Sequence, residues 1–295
     1  MGKGHRSAAV LAILLALVLP RGAAGRTGTG EDPSDGAARL TLAAAGREFL
    51  RDAGRIWSAP ARIRTRDIAP LLAIAATTVY LISADERIRK SVQDYNGRHP
   101  WIGDAGPVIT HMGYLGAWAT AGAVLGLGLV LKDERARDTG YLAASAMAHT
   151  FLAGVVAKSL AGRQRPFYAD GIDHWAGPAA FFKHFDPDAK GRYDSFCSGH
   201  SATAFALATV ISLQYRHEVW VPILAYTVAT AVGFSRMTMD RHWASDVFCG
   251  AVLGQAIARL VVRDHDRPRR FVPMLACSRG GVALSIFYDL GPAGF

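Results

Sequence analysis

Six apolar stretches, 68–84, 108–131, 139–157, 201–215, 219–234 and 244–262, fill the middle of this chain, and charged or Pro/Gly-rich residues close off each one. Runs of this length and texture read as helices that are apolar over most of their surface, so they must be buried in a large bundle or in lipid. Several fall short of the ~20 residues that cross a hydrocarbon core comfortably. The second stretch, however, holds no Asp, Glu, Lys or Arg and is rich in Gly and Ala, the texture that lets membrane helices approach closely. The fold class expected is therefore all-α, a six-helix membrane bundle spanning residues 68–262. With 51% hydrophobic residues among 295, the chain has enough apolar matter for one sizeable domain.

The flanks differ from this body. Lys3, His5 and Arg6 precede an apolar run over 8–19 and then Ala23-Ala24-Gly25, the order of a secretory signal, so 1–26 is expected to be a signal peptide or signal anchor. Residues 27–67 are read as a linker followed by an amphipathic helix. Leu42, Gly46, Phe49, Ala53 and Trp57 recur at helical spacing, and Arg47, Arg51 and Arg55 stack on another face. That face suits either an anionic membrane surface or solvent. Residues 263–295 are expected to form a basic segment and a small C-terminal β-hairpin around Cys277-Ser278-Arg279-Gly280-Gly281, docked on the bundle because an isolated hairpin is marginal.

The formal charge of +9 sits in short loops rather than in a stripe with interleaved aromatics, which speaks against nucleic acid as a partner. Anionic lipid surfaces and phosphorylated substrates are the better match. Cys197, Cys249 and Cys277 are too scattered for a disulfide framework or a zinc site and read as small buried hydrophobes.

Three polar clusters interrupt the apolar pattern at helix ends. The first runs from Lys158 to Arg165-Pro166, the second is Cys197-Ser198-Gly199-His200, and the third runs from Ser235-Arg236 through His242 to Asp246. Each alone is compatible with helix capping. Together they assemble a phosphate site. A phosphoryl group in transfer spreads charge over three equatorial oxygens, and preorganised cations stabilise it. Lys158, Arg165 and Arg236 supply them. Ser198 and the Gly199 amide open a helix whose N-terminus favours an anion. His242 and Asp246, four apart on a helix start, allow the carboxylate to take one imidazole N–H and leave the other nitrogen free to attack phosphorus. His200 is the candidate proton donor to the leaving oxygen. His111, His149, His184 and His217 have no such cluster around them and read as core or surface histidines.

These clusters resemble, in order and spacing, the signature of the type 2 phosphatidic acid phosphatase superfamily: Lys, six residues, Arg-Pro; Pro-Ser-Gly-His; Ser-Arg, five residues, His, three residues, Asp. Lys158 to Pro166 and Ser235 to Asp246 fit in full, while Cys197 stands where proline is usual. The resemblance covers about residues 68–262. It implies a metal-independent, cofactor-free phosphatase acting on a lipid-linked phosphate or pyrophosphate. The phosphohistidine intermediate would form on His242, with His200 as general acid and the other matched residues holding phosphate. Vanadium haloperoxidases resemble the same clusters. A soluble secreted acid phosphatase of the same superfamily is the alternative, and a non-enzymatic lipid-phosphate binding or transport protein a further one, which would not need His242, Asp246 and His200 together. With six spans, the Arg and Lys residues at 62–66, 132–137, 216 and 259–270 share one side, which the positive-inside rule makes cytoplasmic, so the three clusters face the other side; with the resemblance, this implies a bacterial inner membrane and a site facing the periplasm. A cleaved signal peptide would reverse that arrangement.

Overall fold

The computed structural model describes residues 42–169, 175–179, 191–265, 272–278 and 281–287. The signal segment and most of the linker lie outside the described residues. Among the described residues, eight α-helices make up the body: α1 Leu42–Trp57, α2 Thr65–Arg98, α3 Pro100–Met112, α4 Leu115–Leu131, α5 Glu134–Ala161, α6 Gly199–Gln214, α7 Trp220–Thr238 and α8 Ala244–His265. Strands β1 Val272–Ser278 and β2 Gly281–Phe287 pair antiparallel in a two-stranded ladder.

The expected fold class is corrected here. The body is an all-helical, eight-helix unit, not a six-helix bundle completed by a docked β-hairpin. Neither strand makes extensive contact with any described helix. One break, together with α1, accounts for the higher count, and a second difference is one of length. The stretch 108–131 is two helices, α3 and α4, bent by 42° at Gly113-Tyr114. The first stretch does not stop at residue 84, because α2 runs on through Arg98. Its charged second half keeps the helix going with Arg89 and Lys90 each paired to Glu86 one turn earlier.

The short helix α6 is the centre of the body, with α8, α7, α5 and α4 packed around it. It is apolar on more than one face, as a fully enclosed helix must be. Ala206 and Val210 join Leu142, Met147, Ile257 and Val261 on one side, while Ala204, Ala208 and Ile211 join Val221, Ala229 and Val232 on the other. The tightest approach is between α6 and α8. A Cβ at Gly250 or Gly254 would run into the carbonyl oxygens of Ser198 and Ala202, so only glycine lets these helices meet there. This contact sets the start of α6 beside the start of α8.

By length and composition, α2, α5 and α8 can each cross a membrane, and the bent α3–α4 pair makes a fourth. The six spans expected from sequence are therefore reduced to at most four by this measure among the described residues; α6, with 16 residues, is too short. The apolar half of α2 leaves Leu72, Val79 and Tyr80 about two-thirds exposed, a surface suited to lipid. Helix α1 packs on α5 and α8. Phe49 stacks on His149 with ring centroids 4.0 Å apart, the Tyr141 hydroxyl donates to the Ala45 carbonyl, and Glu48 lies 3.0 Å from His265.

Candidate active site

The polar clusters meet at one end of the body because three elements terminate there together: α5 after Lys158, α6 at Ser198 and α7 after Arg236. Lys158 lies in the last turn of α5 and donates to the Asp194 carbonyl. Arg165 follows the turn at Gly162 and grips the Asp194 carboxylate with two donors, at 2.6 and 3.0 Å. Its remaining Nη1 donates to the Arg241 carbonyl at 3.2 Å and stands 3.5 Å from His242 Nε2. Burial works to raise the Asp194 carboxyl, but the Arg165 fork, with Lys158 and His242, outweighs it and holds the group below the usual carboxylate value.

Arg236 lies in the last turn of α7 and is buried. Its Nη1 donates to the Thr110 hydroxyl of α3 at 2.7 Å, and its Nε has no partner among the described residues. Ser235 shares the same Thr110 hydroxyl at 3.2 Å. An incompletely paired guanidinium in a buried position is costly unless an anion completes it.

Ser198 is the N-cap of α6. Its hydroxyl accepts from the Ser201 amide and hydroxyl, at 3.4 and 3.0 Å, so the capping role noted from sequence is realised. Its own amide donates to the Asp246 carbonyl at 3.0 Å, tying α6 to α8. A Cβ at Gly199 would meet nothing within 4 Å, so the space beside the first amide of α6 is open. His200 opens the same helix, with its ring tilted against Tyr114 at 5.7 Å between centroids.

His242 is 3% exposed and precedes α8. The expected link to Asp246 differs in detail. His242 Nδ1 hydrogen-bonds the Ser195 backbone carbonyl at 2.9 Å, while the nearest Asp246 oxygen is 3.7 Å away. Since a carbonyl only accepts, Nδ1 carries the proton and Nε2 presents its lone pair toward Arg165. Burial first, and then Arg165, Lys158, Arg236 and His200, holds the imidazole well below its ordinary value, so the ring is neutral at pH 7. A neutral ring is what a nucleophile requires.

Asp246 is occupied elsewhere. One oxygen accepts from Arg163 Nη1 at 2.8 Å, and the other from the Ser195 hydroxyl at 2.5 Å and the Trp243 amide at 3.0 Å. Arg163, Ser195, Ser245 and Asp85 are the functional-site neighbours that sequence reasoning missed. Arg163 sat in the Lys158–Arg165 spacer, and Asp85 looked like the polar edge of an apolar run. The one available signal was a carboxylate immediately continuing that run. No group of three or more His, Cys, Asp or Glu residues able to hold a metal occurs among the described residues.

Comparison with known proteins finds similarities over the stretch that carries these residues. The PAP2 superfamily model matches residues 139–270, a stretch containing all eight candidate residues. A lipid A 1-phosphatase of Porphyromonas gingivalis is 45% identical over 80 residues, 27% of this chain and only 18% of that protein. Phosphatidylglycerophosphatase B of Bacillus subtilis is 28% identical over 209 residues, 68% of this chain and 93% of that protein. Among solved structures, the first transmembrane PAP2 type phosphatidylglycerolphosphate phosphatase from Bacillus subtilis is similar at 25% identity, covering 66% of this chain and 95% of that one, with a TM-score of 0.47. Aquifex aeolicus LpxE is similar at 20% identity over 61% of this chain and 94% of that one, with a TM-score of 0.44.

Proposed function

The chain belongs to the PAP2 superfamily, and from that premise we propose that it is a membrane phosphatase that removes phosphate from a lipid-linked monoester or pyrophosphate through a phosphohistidine on His242, with residues 68–262 as the phosphatase unit. One observation carries the reading: the His242 ring, fixed through Nδ1 to the Ser195 carbonyl, turns Nε2 toward Arg165, with Lys158 and Arg236 close enough for their charges to act on it. Burial first, and then Arg236, holds the His200 imidazole down to about 3 in the free protein, so it takes up a proton only as the phosphate anion binds beside it. In the proposed reaction the Nε2 lone pair attacks phosphorus, the bond to the lipid oxygen breaks, and His200 gives that oxygen its proton. His200 then takes a proton from water as the water oxygen attacks phosphorus. The N–P bond breaks, and inorganic phosphate and free His242 result. Lys158, Arg165 and Arg236, with the Gly199 amide, stabilise the equatorial oxygens, so the chemical step needs no metal.

The relatives named above act on lipid A and phosphatidylglycerophosphate. The apolar, exposed face of α2 favours a lipid substrate met in the bilayer over the secreted soluble alternative. Purified protein in micelles should release phosphate from lipid phosphates at least tenfold faster than from a water-soluble aryl phosphate, and should keep doing so in EDTA. Preference for the soluble ester, or loss of turnover in EDTA that magnesium restores, would overturn the reading.

We further propose that the site faces the periplasm from a bacterial inner membrane. The end of the body opposite the site gathers Arg135, which donates to the Gln214 carbonyl, with Arg137 and Arg263, and cytoplasmic ends carry such excess charge. In cells with a permeabilised outer membrane and the native cysteines removed, Arg98→Cys should react with an impermeant maleimide while Glu134→Cys stays protected. The reverse pattern contradicts this sidedness.

A further inference from the structure

Behind His242 lies a buried charge network that the nucleophile does not touch directly. Asp85 comes from α2, Arg163 from the turn after α5, and Asp246 from the first turn of α8, with side chains 3%, 0% and 0% exposed. Arg163 Nη2 donates to Asp85 at 2.8 Å, and its Nη1 donates to Asp246 at 2.8 Å and to the Ser245 hydroxyl at 2.6 Å. Asp85 also accepts from the Ser245 amide at 3.0 Å and from the Ser245 hydroxyl. The guanidinium lies over the rings of Trp175 and Trp243, 4.7 and 5.2 Å from their centroids.

For stability alone, well-packed apolar side chains serve as well as or better than such a triad. Its connections are more specific than packing requires. The Arg163 carbonyl accepts from the Ser195 amide at 3.0 Å, Asp246 accepts from the Ser195 hydroxyl, and the Ser195 carbonyl is the acceptor that fixes His242. Ser195 is thus held at its amide by Arg163 directly, and at its hydroxyl by the carboxylate that Arg163 holds. Asp85 lies outside the 139–270 stretch that matches the family.

We propose that the Asp85–Arg163 pair is a positioning unit for His242: acting through Asp246 and Ser195, it keeps the Nδ1–H on the Ser195 carbonyl and sets how much of the Asp246 charge the ring feels. The inference rests on the reading of His242 as the nucleophile. The charged and titratable groups around that ring are Arg165 and Asp194 from the connecting loop, Lys158 from α5, His200 from α6, Arg236 from α7 and Asp246 from α8. Of these, Asp246 is the carboxylate in the ring's own helix turn, and Arg163 compensates it. Removing Asp85 leaves Arg163 wholly on Asp246, and the ring becomes harder to protonate. Removing the Arg163 charge frees Asp246, and the ring becomes easier to protonate.

The test uses the full chain in micelles with isotope-labelled histidine. NMR follows the protonation of His242, assigned by its loss in His242→Asn, alongside the pH dependence of kcat/KM on one lipid phosphate. Asp85→Asn should shift the His242 midpoint and the acid limb downward, and Arg163→Gln should shift both upward. Each variant should lower kcat by about tenfold, the scale on which outer-shell partners act, while inhibition by orthovanadate stays within about threefold because Lys158, Arg165 and Arg236 remain. A merely structural role does not produce shifts of opposite sign. Profiles superimposable on the parent, or shifts in the same direction, overturn the proposal. Where Arg163→Gln does not fold, Asp85→Asn decides alone by shifting downward or not. Should the parent protein hydrolyse no phosphate ester, the functional reading fails, and the NMR titration still judges the positioning.

Discussion

Arg163 and Arg236 are both buried arginines at the same end of the molecule, and they keep different company. Arg163 is enclosed between the carboxylates of Asp85 and Asp246 with two indole rings around it. Arg236 has the Thr110 hydroxyl, the Met239 sulfur at 4.0 Å, an unpartnered Nε, and no carboxylate partner among the described residues. A desolvated cation is tolerated only when something pays back its lost hydration. For Arg163 the chain itself does so. For Arg236 the missing anion must come from outside, and the neighbouring Lys158 and Arg165 define the charge that anion should carry. The region around Arg163 is internally balanced, and the region around Arg236 is the proposed binding surface for phosphate.

The largest expected effect breaks the binding side. Arg236→Ala should lower kcat/KM by about 100–1,000-fold, the range seen when a preorganised donor to a developing charge is removed, and should weaken orthovanadate inhibition in parallel. Equal inhibition in parent and variant would erase the distinction between the two arginines. A smaller effect sharpens the support side. Ser195→Ala removes only the hydroxyl that donates to Asp246 and leaves the carbonyl on His242 in place. It should cost roughly tenfold in kcat, little in KM, and little in vanadate inhibition. A loss carried mainly by KM would place Ser195 with the phosphate-binding groups instead.

The proposed binding surface could be picked out in the sequence because it is written in side chains of distinctive type at fixed spacing. Lys158, Arg165, Ser198, Gly199, His200, Arg236, His242 and Asp246 all come to one end of the body. The support was not legible, for physical reasons particular to each residue. Ser195 acts on His242 through a backbone carbonyl, which any residue possesses. Arg163 is one of two arginines two positions apart, and only the fold tells that it faces the fully buried Asp85 and Asp246 while Arg165 holds Asp194 beside His242. Asp85 ends an apolar run, where a charge ordinarily marks the start of a loop. Instead, α2 continues and lays Arg89, Gln93 and Asn96 against the end of α7, with Arg89 holding Asp240 at 2.8 and 2.7 Å. The i,i+4 spacing of His242 and Asp246 did bring them near, but the turn gave the shorter contact to Ser195. The bend between α3 and α4 escaped notice because an unbroken apolar composition conceals a break in direction.

The central claim is that phosphate passes through a covalent bond to His242. Rapid mixing of the protein with a lipid phosphate labelled in its phosphoryl group, followed by alkaline quench and peptide mapping, tests it directly, because phosphohistidine survives base and is lost in acid. The account predicts a labelled, acid-labile peptide containing His242, formed within the first turnover and absent from His242→Asn. Label on another residue, or unchanged turnover in His242→Asn, would contradict it.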